Sequence, residues 1–444
     1  AVDGAHLKSA REIATLVHHP NDQYKDISHL VPVFGQFVMH DLAKTVHSVD
    51  ESGQIRQCSC ESKHPECLKI PIPRGDYQFA NTKCLVQVRE RDGRGQPNTC
   101  VYNYRSQLNG VNSWLDLSQV YGNSREEERE LRAYYGGRLD VSYYRDSTGP
   151  MLPNSCPYNA FKLLKKSNVC FKAGDDRVNQ YPLLTAVHTV FVREHNRIAG
   201  ELARLNAHWN DERLYQETKR ILTAIYQNIV YWEWLPLVIG NDLMKIFGLD
   251  RAPYGQYFYG YNQEIFPNVA AEFAGAAARF GHALFRPYVS RVDGMFRTVA
   301  NESIREIMWR PDKIIPGHYL DEYLRGCLKD MCDQNLPHIN SELNDWLIVD
   351  QGNQNPTHFY SLAALNIMRG RDFAFPGYIF YRDLVKLNIP KSFDDLTWIP
   401  QKIVKKLRIM YKSVSDIDLF TGGLSEKHVA GGLVGPTFAC KFFA

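Results

Sequence analysis

The segment Val33-Phe34-Gly35-Gln36-Phe37-Val38-Met39-His40-Asp41-Leu42 is apolar nearly all round, yet it carries three strongly polar side chains. A helix of that pattern is buried. Gln36 and His40 stand four residues apart and share a face, while Asp41 points roughly 100° away. Buried polar groups need partners. A satisfied core histidine is the plain reading of a lone His, but Gln, His and Asp in one buried helix weaken it. His282 is a second candidate, set mid-helix among small and aromatic residues. Arg177 stands beside Asp175 and Asp176, and alone it would read as half of a surface salt bridge. Arg369 and Arg371, taken alone, read as a solvated basic turn.

These side chains need a frame. The 444-residue chain is long enough to bury a large core. Strong 3.6-residue periodicity over 181–206 and 212–239 marks long helices, and further helices are expected over 26–44, 268–285, 317–331, 360–370, 376–388 and 400–413. Alternating strand patterns are scarce, and residues 50–110, rich in Cys, Pro and Gly, read as stapled loops. The expectation is a mainly α fold in one large domain over 1–444. Fifty-two Lys+Arg against 49 Asp+Glu give a net charge of +3, no reason to expect nucleic acid or an anionic membrane as main partner. No apolar run approaches a membrane span. Ala1 to Lys8 lacks the features of a signal peptide, and with no initiator Met the chain reads as processed or excised.

Ten cysteines fit no common zinc spacing and read as disulfides, which implies an oxidising, secreted setting. One glycosylation triplet, Asn301-Glu302-Ser303, agrees weakly.

Phe34-Gly35-Gln36-x-x-x-His40-Asp41 resembles the distal-helix motif of the animal haem peroxidases, the family of myeloperoxidase, thyroid peroxidase and peroxinectin. Further segments match in the family's order: Leu115-Asp116-Leu117-Ser118-x-Val120-Tyr121-Gly122, Ala173-Gly174-Asp175-x-Arg177, Arg193-Glu194-His195-Asn196-Arg197, Arg279-Phe280-Gly281-His282, Asn366-x-x-Arg369-Gly370-Arg371-Asp372 and Gly435-Pro436-Thr437-Phe438. The ordered set covers nearly the whole chain and suggests a secreted member of invertebrate type.

The resemblance implies a haem-dependent peroxidase that reduces hydrogen peroxide and oxidises small donors such as phenols, catechols, aromatic amines, iodide or thiocyanate. It makes His40 the acid–base group, a role that neutral imidazole suits near pH 7. Gln36 orders distal water or peroxide, and Arg177 stabilises developing charge. His282 is the axial ligand, Asn366 its hydrogen-bond partner, and Arg279 and Arg369 pair with haem propionates. His195 is read as structural. A calcium ion is implied, held by Asp41 with Asn112, Trp114 (through its carbonyl), Asp116 and Ser118.

The sequence also departs from the family. The two positions that esterify the haem in mammalian members hold Met39 and Gln180, and the sulfonium position holds Tyr181, so a non-covalent haem b is expected. The family's N- and C-terminal extensions are missing from 1–444. By spacing, Cys58–Cys67, Cys60–Cys84, Cys156–Cys170 and Cys327–Cys332 pair, leaving Cys100 and Cys440. Two alternatives remain. A fatty-acid dioxygenase would use a Tyr three residues before the proximal His, where this chain has Arg279. A cell-adhesion protein would use Arg74-Gly75-Asp76 on an exposed loop.

Overall fold

The computed structural model describes residues 1–20, 24–93, 105–155, 164, 167, 169–249, 251–253, 255–333, 337–349 and 359–442. Helices dominate, and the strands among the described residues form three two-stranded antiparallel sheets.

The polar-interrupted segment forms the helix Leu30–Leu42, with His40 and Asp41 on its buried surface. Its expected start at 26 is too early. Tyr24–Ser28 is a strand that pairs with Met331–Asp333, and the Ser28 hydroxyl accepts from Leu30 N at 3.1 Å, opening the helix. The helix Pro182–Leu205 begins on Pro, which suits a first turn that has no partner for an N–H. It packs on both Leu30–Leu42 and Asp211–Ile229. Phe37 stacks on Phe191 at 4.8 Å between ring centroids and meets Tyr226 edge-on at 6.0 Å. The three helices therefore share one aromatic seam that fixes the rotation of the His40 helix.

Two expected helices are interrupted. The run 212–239 opens into a π turn at Val230–Trp234 before Leu235–Ile239. Pro236 explains this, since it lacks an N–H and its ring clashes with the carbonyl four residues back. The widened turn aims Trp234 at the His40 helix. Its indole donates to Val31 O at 3.0 Å, and a Cβ on Gly35 would lie 2.9 Å from its ring. The run 268–285 divides into Ala271–Gly275 and a 3₁₀ helix Ala277–Ala283, broken at Ala276 (φ −139°, ψ −65°).

Residues 50–110 are not all loop. Cys67–Pro71 and Cys84–Val88 form an antiparallel hairpin, stapled by Cys58–Cys67 and Cys60–Cys84 as expected. Cys170 is disulfide-bonded, while Cys156 and Cys100 lie outside the described residues. The Cys327–Cys332 expectation is corrected: no disulfide joins them, and both sit in the core. Cys327 belongs to the helix Tyr319–Lys329 and Cys332 to the strand Met331–Asp333, whose register is fixed by pairing with Tyr24–Ser28. Cys440 is a half-buried thiol. No helix is long and apolar enough to cross a membrane among the described residues.

Candidate active site

A cavity of about 400 Å³ opens between the His40 helix, the segment 177–181, the broken run 271–283 and the helix Leu362–Asp372. Gln36, Met39, His40, Arg177, Gln180, Tyr181, Arg279, His282, Asn366 and Arg369 all line it. Four sequence segments, spread over more than 300 residues, thus converge on one space.

On the His40 side, Asp175 organises the polar groups. Gly174 brings it there, because a Cβ at 174 would lie 2.1 Å from Ser118 O and 2.3 Å from Gly122 N. Asp175 N then donates to Gln119 O at 3.0 Å. The Asp175 carboxylate accepts from Arg177 Nε at 2.8 Å and Nη2 at 2.7 Å. Arg177 in turn donates to Ala43 O at 3.1 Å and His40 O at 3.3 Å. Burial pushes the Asp175 carboxyl up, but the Arg177 guanidinium outweighs it and holds it well below the usual carboxylate range. Arg177 therefore does pair with Asp175, in a clamp of a half-buried guanidinium on a buried carboxylate that straps the end of the His40 helix.

His40 is buried, and its Nδ1 has no hydrogen-bond partner. The nearest carboxylate oxygen, Asp175 Oδ1, is 3.8 Å away. Burial and then the Arg177 charge push the imidazole well below its ordinary value, so the ring is neutral. Gln36 donates to Gln180 Oε1 at 2.8 Å, which ties the distal glutamine to the residue at the expected ester position.

On the His282 side, Asn366 Nδ2 lies 2.9 Å from His282 Nδ1, and Arg279 Nη1 donates to Asn366 Oδ1 at 3.0 Å. In this orientation Nδ1 accepts, so the proton of the neutral ring sits on Nε2. Binding a metal through Nε2 requires the opposite tautomer. The amide oxygen now held by Arg279 is the acceptor that tautomer needs.

Arg369 is buried rather than part of a solvated turn. It reaches Glu90 Oε1 at 2.6 Å and Asp372 Oδ2 at 3.0 Å. Arg371 is the partner of Asp418 and does not line the cavity. Burial and then the neighbouring Arg369 pull Arg279 down to about 10, and burial with the same two arginines pulls His47 down to about 3. Arg369 already faces two carboxylates, whereas Arg279 donates to the neutral acceptors Ala274 O and Asn366 Oδ1, so an anionic occupant would find its complement at Arg279. A haem suits this donor set: a ring nitrogen with a fixing amide for its iron, and two guanidinium groups for its carboxylates.

The residues expected to hold calcium gather beside the His40 helix. Asp41 Oδ1 accepts from Ser118 N and Oγ, both at 2.7 Å, and Oδ2 accepts from Leu117 N at 3.2 Å. Leu117 holds a left-handed backbone (φ 62°), uncommon for a branched residue. Asn112 Nδ2 donates to Asp116 Oδ2 at 3.1 Å, and Asn112 Oδ1 accepts from Trp114 N at 2.8 Å. Burial pushes Asp41 up to about 7, and the nearby Asp116 charge adds to it. Two carboxylates that repel each other here are what a cation would relieve.

His195 is structural in its contacts. Nδ1 meets Tyr121 OH at 2.8 Å and Nε2 meets Gly137 O at 2.9 Å, leaving neither nitrogen over. The adhesion alternative loses its key group. Asp76 is buried, accepts from Arg11 Nε at 2.7 Å, and also caps Gln78 N and Phe79 N, so only Arg74 and Gly75 are exposed. Asn301 lies on the strand Thr298–Ser303, where its Oδ1 accepts from Ser290 Oγ at 2.8 Å.

Glu90 and His47 were missed by sequence reasoning. Glu90 sits in the run Arg89-Glu90-Arg91-Asp92, which looks like solvated charge. A signal was there in the preceding Val86-Gln87-Val88, a strand whose every residue is buried.

The family model described as animal haem peroxidase matches residues 1–443. Peroxidasin of Drosophila melanogaster is 34% identical over 461 residues, a match covering 99% of this chain and 29% of that protein. Chorion peroxidase of Aedes aegypti is 34% identical over 464 residues, covering 100% of this chain and 56% of that protein. The chain thus spans less than a third of the first relative and about half of the second. Among solved structures, peroxidase A from Dictyostelium discoideum aligns with a TM-score of 0.82 at 24% identity, covering 99% of this chain and 82% of that one. The fatty acid alpha-dioxygenase of Oryza sativa aligns with a TM-score of 0.72 at 18% identity, covering 99% and 72%. These two likenesses show the fold.

Proposed function

The chain belongs to the animal haem peroxidases, and from that premise we propose that it binds one haem and reduces hydrogen peroxide while oxidising small donors. Phenols, catechols, aromatic amines, iodide and thiocyanate are the donor classes. The observation that carries the reading is one cavity lined by both His40 and His282, whose rings have different partners. One is neutral with an unpartnered Nδ1, and the other is backed by an amide.

When bound, the haem supplies an iron that can take part in two-electron cleavage of the peroxide O–O bond. His282 would hold the iron, with Asn366 setting the proton on Nδ1. Arg279 and Arg369 would meet the propionates. His40 takes a proton from the peroxide oxygen that binds and returns it to the oxygen that leaves. Its low basicity keeps the ring free to accept that proton. Gln36, steadied by Gln180, orders the peroxide or a water beside it. The Arg177 charge favours the electron density that develops as the bond breaks.

Met39 and Gln180 line the cavity without a carboxylate, which supports a non-covalent haem b. Acidified organic solvent should then extract the pigment whole, and pigment left on the polypeptide would refute this. Asp41, Asp116 and Ser118, with Asn112 and the Trp114 carbonyl, form the proposed calcium site. The disulfides support a secreted protein. The dioxygenase alternative gains no support, since Arg279 occupies the tyrosine position and the likeness to such an enzyme is one of fold.

The test is turnover of a small phenol by the haem-loaded protein with hydrogen peroxide. A His40→Ala variant should bind haem normally yet react with peroxide at least ~10²-fold more slowly, the low end for a general acid–base group. An unchanged rate in that variant would overturn the assignment.

A further inference from the structure

The cavity chemistry leaves one buried acid unused. Glu90 is fully buried and does not line the cavity, but it approaches two residues that do. Arg369 Nη1 lies 2.6 Å from Glu90 Oε1, and His47 Nδ1 lies 3.9 Å from the same oxygen. Neither contact is a hydrogen bond. Arg369 Nη1 carries two protons and donates them to Val88 O at 3.1 Å and Asp372 Oδ2 at 3.0 Å. Both Glu90 carboxyl oxygens and His47 Nδ1 are left without a hydrogen-bond partner.

Asp372, on the same guanidinium, is served differently. Its Oδ1 accepts from Arg89 Nε at 2.6 Å, and its Oδ2 accepts from Glu90 N at 2.9 Å as well as from Arg369. The other cations nearby are engaged elsewhere. Arg105 donates to the Glu90 backbone carbonyl and pairs with Glu66, and Arg279 donates to Ala274 O and Asn366 Oδ1. Asp372 is therefore the carboxylate that holds the Arg369 charge. Burial pushes the Glu90 carboxyl up to about 7, with the Arg369 charge opposing and the Asp372 charge adding, while neutral His47 offers it no cation.

We propose that Glu90 is a positioning residue for the haem carboxylates, taking up a proton as the haem enters and sharing it with His47 Nδ1. The inference rests on the haem reading above. An ionised Glu90 and an ionised haem carboxylate would repel on one buried guanidinium that already holds Asp372. Protonating Glu90 removes that repulsion and supplies the donor that His47 Nδ1 lacks. A movement of about 1 Å closes the 3.9 Å gap to hydrogen-bond length. The His47 ring proton then sits on Nε2, and the ring is fixed where it lines the cavity. Below about pH 7 the acid is already protonated, and haem binding takes up no proton there. Above it one proton enters with each haem, so the dissociation constant rises by up to about tenfold per pH unit.

Haem b and its dimethyl ester, which lacks the carboxylate charges, are titrated into the full wild-type and Glu90→Gln chains from about pH 6 to 9. Circular dichroism checks the fold. The wild-type dissociation constant for haem b should be flat below pH 7 and rise above it. That rise should be missing with the ester, and Glu90→Gln should stay at the tight, low-pH value throughout. Haem b loading of the wild type above pH 7 should also create the infrared carbonyl band of a protonated carboxylic acid, a readout that stands even where the variant does not fold. A wild type with no rise, a rise that persists with the ester or in a folded Glu90→Gln variant, or no new infrared band would overturn the inference and leave the haem reading intact. A wild type that binds no haem at any pH would overturn both.

Discussion

The two histidine walls of the cavity are built in opposite ways. His40 sits on an unbroken helix, strapped at its end by the Asp175–Arg177 clamp and followed by Asp41, which accepts from Ser118 of the 112–118 loop. His282 sits on a short 3₁₀ segment after a break, with one side-chain amide at its ring. The first wall is fixed by charge and backbone together. The second leaves one hydrogen bond to choose which ring nitrogen is free. A proton-transfer group must be in place before substrate arrives, whereas a ligand histidine must present one particular nitrogen. The difference shows two routes to preorganisation, and each can be broken separately.

The largest effect is expected at the clamp. Arg177→Ala leaves the buried Asp175 carboxylate without its cation, a loss of about 3–5 kcal/mol in unfolding free energy for breaking a buried pair. Urea unfolding of the haem-free protein would measure it, and a loss below about 1 kcal/mol, the range of exposed pairs, would show that the clamp does not hold this wall. The second wall should respond differently. Asn366→Leu should weaken haem affinity by roughly 10–100-fold, as for other groups that orient a metal-binding histidine. Asn366→Asp, which keeps an acceptor for Nδ1–H, should retain tight binding. Equal affinity in the Leu variant would remove the amide from the account.

Calcium sharpens the comparison further. If an ion joins Asp41 to the 112–118 loop, saturating it at about 100 times Kd adds about 2.7 kcal/mol to stability. Exhaustive chelation should therefore lower Tm and slow the peroxide reaction. A protein that loses neither under chelation holds no such ion.

The smallest effect concerns histidines outside both walls. Burial pulls His18, His188 and His195 down to about 4. Unfolding returns each to its ordinary value near 6.5, so between about pH 6.5 and 4 the unfolded chain binds more protons than the native one. Stability is then full above pH 6.5 and falls as pH drops through that window. His195→Gln should reduce the slope of unfolding free energy against pH by about one proton. An unchanged slope would show that His195 titrates in the native state.

Much of this site was legible in the sequence because its residues sit in short, fixed spacings. Gln36 and His40 share a helix face, and Gly174 precedes Asp175 because the backbone must pass Ser118 closely. Other features depend on distant partners that no spacing reveals. Glu90 hides in a run of charges and becomes a buried group only because Arg369 comes from a helix nearly 280 residues on. Asp76 looks available within Arg74-Gly75-Asp76 until Arg11 is folded over it. Cys327 and Cys332 are near in sequence, but one belongs to a helix and the other to a strand with its own register. The break at Ala276 had no marker in a run of small residues that reads as continuous helix.

The central claim is that His282, presented by Asn366, holds a haem in the cavity that His40 serves. The most direct measurement is haem titration of wild-type and His282→Ala protein, followed by absorption spectroscopy with circular dichroism as the check on folding. One haem per wild-type chain with a histidine-ligated spectrum, and loss of that spectrum in a folded His282→Ala variant, is the predicted result. Full haem occupancy with an unchanged spectrum in that variant would contradict the account.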